Sequence, residues 1–166
     1  MLQLAEAARA LLLLILANSL PWIAGRMLGH RWGAPLDLGV TLPDGRRLLG
    51  SHKTWRGVAA GVGGCTLAAA VVGLPGWTGA AFATLSMLGD ALSSFCKRRL
   101  GIAPGRDVPL LDQLPEALLP LLALHASLAL GPTRLAAVAG AFTLLDLLAS
   151  GIRRRGAAPA WRDSRG

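Results

Sequence analysis

Five apolar segments, each close to the length of a bilayer crossing, recur along this chain and leave it few ways to fold. They run over about residues 7–25, 57–74, 78–97, 110–130 and 134–152. Hydrocarbon offers no water to satisfy backbone N–H and C=O groups, so segments of this kind must be helices that bond internally. The composition agrees: 53% of the 166 residues are hydrophobic, 16% are charged and mean hydropathy is +0.51. The expectation is an all-α integral membrane protein with about five transmembrane helices. The first run lacks the basic start and small-residue cleavage site of a signal peptide and is read as a retained helix. Pro21 near its end predicts a kink or an exit.

The polar residues between these segments set the topology. The only long polar stretch, about 26–56, is a large loop between helices one and two, and a shorter loop covers about 97–109. Residues 1–152 are therefore expected as a single transmembrane domain, followed by a basic tail over 153–166. The net charge is +8. In a soluble chain such an excess would suggest nucleic acid, but here the cations lie between apolar runs. Six Lys and Arg fall in the first loop, four over 97–106 and five in the tail, so fifteen of seventeen share one side. Arg9 and Arg134 fall on the other. The positive-inside rule then places both loops and the C-terminus in the cytoplasm and the N-terminus outside, as in a multi-pass protein of the cell (inner) membrane. The bilayer is the expected partner, with no nucleic acid and no protein partner implied. Cys65 and Cys96 lie on different segments and match no metal spacing, so no disulfide is expected.

The chemistry concentrates between Ser86 and Leu114. In a helix, Asp90, Ser93, Ser94 and Lys97 share one face, and Arg98 and Arg99 follow at once. After a loop marked by Gly101, Pro104, Gly105 and Pro109, a second carboxylate, Asp112, opens the fourth apolar segment. An acid at mid-span costs about 3 kcal/mol, so Asp90 needs a cation, a partner or water. Carboxylates hold hard divalent cations, while guanidinium and ammonium groups hold phosphate, and together they suit a nucleotide with its magnesium ion. Each residue also has a plainer reading. Asp90 could pair with an arginine between helices, Lys97, Arg98 and Arg99 could be a positive-inside stop, and Asp112 could cap a helix. Asp90 lies roughly 10 Å of helix rise below Lys97, whereas Asp112 is expected near the membrane interface. In the first loop, Gly50-Ser-His-Lys-Thr-Trp-Arg-Gly57 resembles a phosphate cradle: Lys53 and Arg56 bring charge, Thr54 a hydroxyl, and Gly57 opens a helix whose amides favour anions. His30 and His52 are weak signals, His125 is expected as a buried helix–helix partner, Glu116, one turn beyond Asp112, reads either as a partner supporting the site or as another interfacial acid, and Asp146 is ambiguous.

Taken in order, Asp37-Leu-Gly39, Asp44-Gly-Arg-Arg47, Lys53-Thr-Trp-Arg-Gly57, Gly89-Asp90, Ser94-Phe95, Lys97-Arg-Arg-Leu-Gly101 and Pro109-Leu-Leu-Asp-Gln-Leu114 resemble the CDP-archaeol synthase family. These are small integral membrane cytidylyltransferases, distantly similar to CDP-diacylglycerol synthases, and the resemblance covers about residues 18–125. It implies an enzyme that uses CTP and Mg²⁺ to convert a membrane lipid phosphate, 2,3-di-geranylgeranyl-glycerol 1-phosphate, into its CDP derivative. It further implies Asp90 and Asp112 as magnesium carboxylates and catalytic residues with Lys97. Lys97 and Arg98, with Lys53 and Arg56, would hold the triphosphate and the lipid phosphate, and Thr54 and Ser94 would add hydroxyl contacts. Two rivals stay open: a phosphatidate cytidylyltransferase acting on diacyl lipid, and a small transporter using Asp90, Glu116 and Asp146 as a proton or cation path.

Overall fold

The structure, a computed structural model, describes the backbone of residues 2–103, 106 and 108–156 and the side chains of 4–103, 106 and 108–151. The described residues form five helices: α1 (Leu2–Leu28), α2 (Trp55–Val71), α3 (Gly76–Arg99), α4 (Gln113–Ala123) and α5 (Pro132–Gly156). The helix α5 thus takes in the start of the expected tail, and 157–166 lie outside the described residues. Among the described residues two helices, over Leu4–Leu28 and Pro132–Gly151, are long and apolar enough to cross a membrane. Only 22% of either apolar window is buried inside the protein, so their greasy surfaces face outward instead of filling a water-soluble core. Leu67 and Val71 on α2 and Leu88 on α3 are likewise exposed. The helix α1 runs through Pro21 without ending there.

The centre of the bundle is α3, which packs against α1, α2 and α4. The sequence permits this by removing side chains where backbones meet. On α2, Gly57, Gly61, Cys65 and Ala69 form a buried stripe of small residues at every fourth position. A Cβ on Gly79 would fall 2.1 Å from the Cys65 carbonyl oxygen, so only glycine fits at that α2–α3 crossing. One on Gly89 would fall 2.2 Å from the Pro115 carbonyl oxygen and 2.6 Å from the Glu116 amide, which makes Gly89 the seat of α4. Between the two glycines Phe82 is fully enclosed, with Leu13, Leu14 and Leu121 among the other buried side chains. Helices α1 and α5 run parallel: Glu6 is ion-paired with Arg134, and twelve residues further along each helix Asn18 meets Asp146.

The fourth segment departs from expectation. In place of a crossing over 110–130, α4 has 11 residues, about 16 Å of rise. Pro120 inside it removes an amide donor, and beyond Ala123 the chain closes into turns held by Leu128 N to Leu124 O (3.0 Å) and Leu130 N to His125 O (2.8 Å). His125 is exposed in these turns, not buried between helices. Because the first turn of α4 sits on Gly89, ten residues or about 15 Å before α3 ends, the chain after Arg99 must run back along α3 before it becomes helical. Asp112 therefore stands within about one helical turn of the level of Asp90, not at the far end of α3 as expected.

This crossing predicts that Gly89→Ala destabilises the protein by about 1–3 kcal/mol through overpacking against backbone that has nowhere to go. Gly63→Ala, at an exposed α2 position where a Cβ meets nothing within 4 Å, should instead gain a fraction of a kilocalorie from helix propensity. Thermal unfolding of both variants in detergent checks the pair.

Candidate active site

One face of α3 carries the polar row that the sequence predicts. Ser94, Lys97 and Arg98 are buried and Asp90 is half-buried, so the basic cluster is not a solvated stop at the membrane edge. Ser93 is turned inward, its hydroxyl donating to the Asp90 carbonyl at 2.9 Å. The Lys97 ammonium lies 2.6 Å from the Asp112 carboxylate and also donates to the Arg106 carbonyl at 3.2 Å. Asp112 occupies the N-cap position of α4 without capping it; its other oxygen accepts from the Val108 amide at 2.9 Å. Asp90 is ion-paired with Lys53 from the first loop. Arg98 donates through Nη2 to the Ala103 carbonyl, while its Nε and Nη1 are buried without a partner. A buried guanidinium with unspent donors is a ready binding site for an anion, whose oxygens accept from it.

The first loop is folded so that Lys53 can reach Asp90. Asp37 is its hub. The enclosed carboxylate accepts from the amides of Gly39 (3.1 Å), Leu49 (3.1 Å) and Gly50 (3.0 Å) and from the Arg47 guanidinium (2.6 Å). Burial by itself raises the pKa of this acid, but the four donors outweigh it and hold the carboxyl down at about 2. Two further bonds, Leu36 N to Lys53 O (2.7 Å) and Trp55 N to Ala34 O (3.0 Å), lay the segment before α2 against the start of the loop. The loop is then clamped to the C-terminal end of α3. Arg46 donates to the carbonyls of Arg98 (3.2 Å) and Arg99 (2.7 Å), and Arg99 returns to Asp44 (2.6 Å) and the Arg47 carbonyl (2.8 Å). These contacts satisfy carbonyls that a helix terminus leaves open.

Three hollows meet at this point. A polar chamber of about 210 Å³ is walled by Lys53, Asp90, Lys97, Arg98, Asp112 and Glu116, among others. A second of about 500 Å³ lies beside it under the first loop and shares Lys53, Asp90 and Glu116 with it. Thr54 and Arg56 line the second chamber only. Their bonds are local: the Thr54 hydroxyl accepts from the Gly57 amide as the cap of α2, and Arg56 donates to the carbonyls of Gly29 (2.8 Å) and Arg31 (2.6 Å). The third hollow, about 530 Å³, is a mostly apolar groove between α1 and α5 that includes Ile15, Ile23, Phe142 and Leu145. It meets the polar chamber at Asn18 and Asp146.

All eight residues singled out from the sequence thus reach one of two adjoining chambers, and Asp90 and Asp112 line the same one. Sequence reasoning gave Gln113 no role, gave Asp146 one only in the transporter reading, left Glu116 open, and did not single out Asn18 or Arg106, all of which reach the polar chamber. Polar residues inside apolar segments one and five were the available signal for Asn18 and Asp146. Among the described residues no three His, Cys, Asp or Glu side chains converge to hold a metal ion by themselves. The donors that are present still fit magnesium, which characteristically takes one or two carboxylates and completes its shell with phosphate oxygens and water.

A family model described as "CarS-like: CDP-archaeol synthase" matches residues 4–153 of the chain. The CDP-archaeol synthase of Aeropyrum pernix is 43% identical over 156 residues, covering 89% of this chain and 84% of that protein. That of Hyperthermus butylicus is 45% identical over 101 residues, covering 57% of this chain and 60% of its own length. A solved structure of an intramembrane enzyme for archaeal membrane lipids biosynthesis superposes with a TM-score of 0.64 at 40% identity, covering 83% of this chain and 90% of that one.

The hub at Asp37 predicts a pH dependence of definite sign. Its carboxyl is lowered from 3.8 to about 2, so the stability it lends the loop is fully present above about pH 4 and is lost as pH falls towards 2. Trp55 fluorescence should follow that loss. Asp37→Asn should remove about 2 kcal/mol of local stability at neutral pH, read as faster amide exchange at Leu49 and Gly50.

Proposed function

Because the chain belongs to the CDP-archaeol synthase family, we propose that it transfers CMP from CTP to a membrane lipid phosphate and releases pyrophosphate. The acceptor on this reading is 2,3-di-geranylgeranyl-glycerol 1-phosphate or a closely related lipid. The observation that carries the reading is the polar chamber itself, whose lining brings Asp90 and Asp112 together with Lys53, Lys97 and Arg98, the last with unspent donors. The diacyl-lipid enzyme stays a matter of which acceptor is used. The transporter reading loses its support to the family.

In the reaction, an anionic oxygen of the lipid phosphate attacks the α-phosphorus of CTP. A new P–O bond forms, the bond to the β-phosphate oxygen breaks, and its electron pair leaves with pyrophosphate. The nucleophile is already ionised, so no strong general base is required, and catalysis is positioning plus charge neutralisation. Arg98 would offer its two unpartnered donors to the triphosphate, and Lys97 and Lys53 would turn from Asp112 and Asp90 to phosphate oxygens. Asp90 and Asp112, freed of those lysines, would hold Mg²⁺ against the same phosphates. When bound, the ion would offset the charge that builds up as pyrophosphate departs. Ser94 lines the same chamber and would offer its hydroxyl to the phosphates.

The surroundings favour an acceptor that stays in the bilayer. The α1–α5 groove shares Asn18 and Asp146 with the polar chamber and is lined largely by apolar side chains, which suits a hydrocarbon chain whose phosphate must meet the nucleotide. We place the first loop and the α3–α4 loop in the cytoplasm, because fifteen of the seventeen basic residues then lie on that side. The helix α4 and the turns after it would complete the fourth of five passages.

Purified protein given CTP, Mg²⁺ and a panel of ether- and ester-linked lipid phosphates should form a CDP-lipid, fastest with the isoprenoid ether acceptor. Asp90→Ala and Asp112→Ala should each lower turnover by about a hundredfold or more while staying folded at the assay temperature, with some loss of thermal stability from the lysine left unpaired. Turnover at wild-type rate in both variants would refute the assignment of these carboxylates.

A further inference from the structure

Asp112 reaches the chamber wall from a turn that has no regular structure to hold it. The Leu110 backbone lies in the left-handed region at φ 68, which a branched residue seldom adopts. Two bonds close the turn onto itself, Asp112 N to Val108 O at 3.1 Å and Val108 N to Asp112 Oδ2 at 2.9 Å. A third comes from outside it. The Leu110 amide donates to Gln113 Oε1 at 2.8 Å, and Gln113, 2% exposed, donates through Nε2 to Asp146 Oδ2 at 2.9 Å. The direction of this chain is forced. A backbone N–H can only donate, so the Gln113 oxygen must face Leu110 and its NH₂ must face an acceptor.

The geometry points to Asp146 as a positioning residue: acting through Gln113, this α5 side chain fixes the 108–112 turn and with it the Asp112 carboxylate. The proposal rests on the role given above to Asp112. It needs an acceptor at position 146 and makes no use of a negative charge there. A role for Asp146 as a proton carrier or metal ligand needs the ionisable carboxylate itself. The two therefore part company over asparagine, whose carbonyl oxygen can still accept from Gln113 while its NH₂ faces Asn18, an amide able to turn and receive it.

The test uses the full chain in detergent, with CDP-lipid formation as one readout. The other is the Mg²⁺ concentration that supports half-maximal binding of labelled CTP in the absence of lipid, where no turnover occurs. Asp146→Asn should stay close to wild type in both. In Asp146→Leu, kcat should fall about a hundredfold, as a misplaced reactive group does. Its Mg²⁺ requirement for CTP binding should rise about tenfold, as on loss of a partner that orients a metal ligand. Gln113→Glu keeps the acceptor for Leu110 but sets a carboxylate against Asp146, so it should fail in the same way, and adding Asp146→Asn should restore it. Equal losses in Asp146→Asn and Asp146→Leu would overturn the proposal by showing that the charge itself acts, and wild-type behaviour of Asp146→Leu would overturn it by showing that the bond is idle. Should Asp146→Leu not fold, the Gln113→Glu pair decides, and failure of the second substitution to restore the first is fatal to the proposal. If wild-type protein makes no CDP-lipid from any lipid phosphate, the functional reading falls, whereas the Mg²⁺ dependence of CTP binding still judges the positioning role.

Discussion

The missing side chain at Gly89 governs how α4 and the acids at its start are set against α3. With no Cβ there, the backbone of Pro115 and Glu116 can lie directly on α3, and α4 begins its helical course alongside Asp90 instead of at the end of α3. Close contact of this kind is the usual way helices associate where lipid removes the hydrophobic drive between them. Its consequence is chemical. Two carboxylates separated by twenty-two positions in sequence come to line one chamber, with Glu116 beside them.

Placing that much charge inside an apolar bundle is tolerable only if each charge is matched. Lys53 answers Asp90 and Lys97 answers Asp112, so both acids stand paired with cations. On the reading we propose, the substrates would bring their own negative charge and exchange these partners: phosphate for the lysines, a divalent cation for the carboxylates. The first loop is built to deliver one of these cations. Asp37 folds it, the Arg46 and Arg99 contacts fasten it to α3, and Lys53 projects from its far end. The loop is thus part of the chamber wall and is more than a connection between two helices.

Much of this is legible in the residues themselves. Apolar runs mark α1, α2, α3 and α5 to within a few positions, because length and hydropathy are local properties. The face shared by Asp90, Ser94 and Lys97 follows from helical periodicity, and the phosphate-binding types around Lys53 stand out in a polar loop. The depth of Asp112 does not, since it depends on a tertiary contact at Gly89 that no spacing in the 100–112 segment encodes. The short α4 is missed for a related reason: Leu-rich sequence over 110–130 reads as one span, while Pro120 and the turns after Ala123 interrupt it. Thr54 and Arg56 illustrate the opposite limit. Their chemistry suits phosphate, yet their bonds cap α2 and brace residues 29–31, and only coordinates distinguish those uses.

Crystals grown with CTP and Mn²⁺ would test the shared chamber most directly, since the anomalous signal of manganese locates a cation without ambiguity. A single peak within bonding distance of both the Asp90 and Asp112 carboxylates, with the first turn of α4 still seated on Gly89, is the predicted result. A peak bound by one of these residues while the other remains paired with its lysine would contradict it.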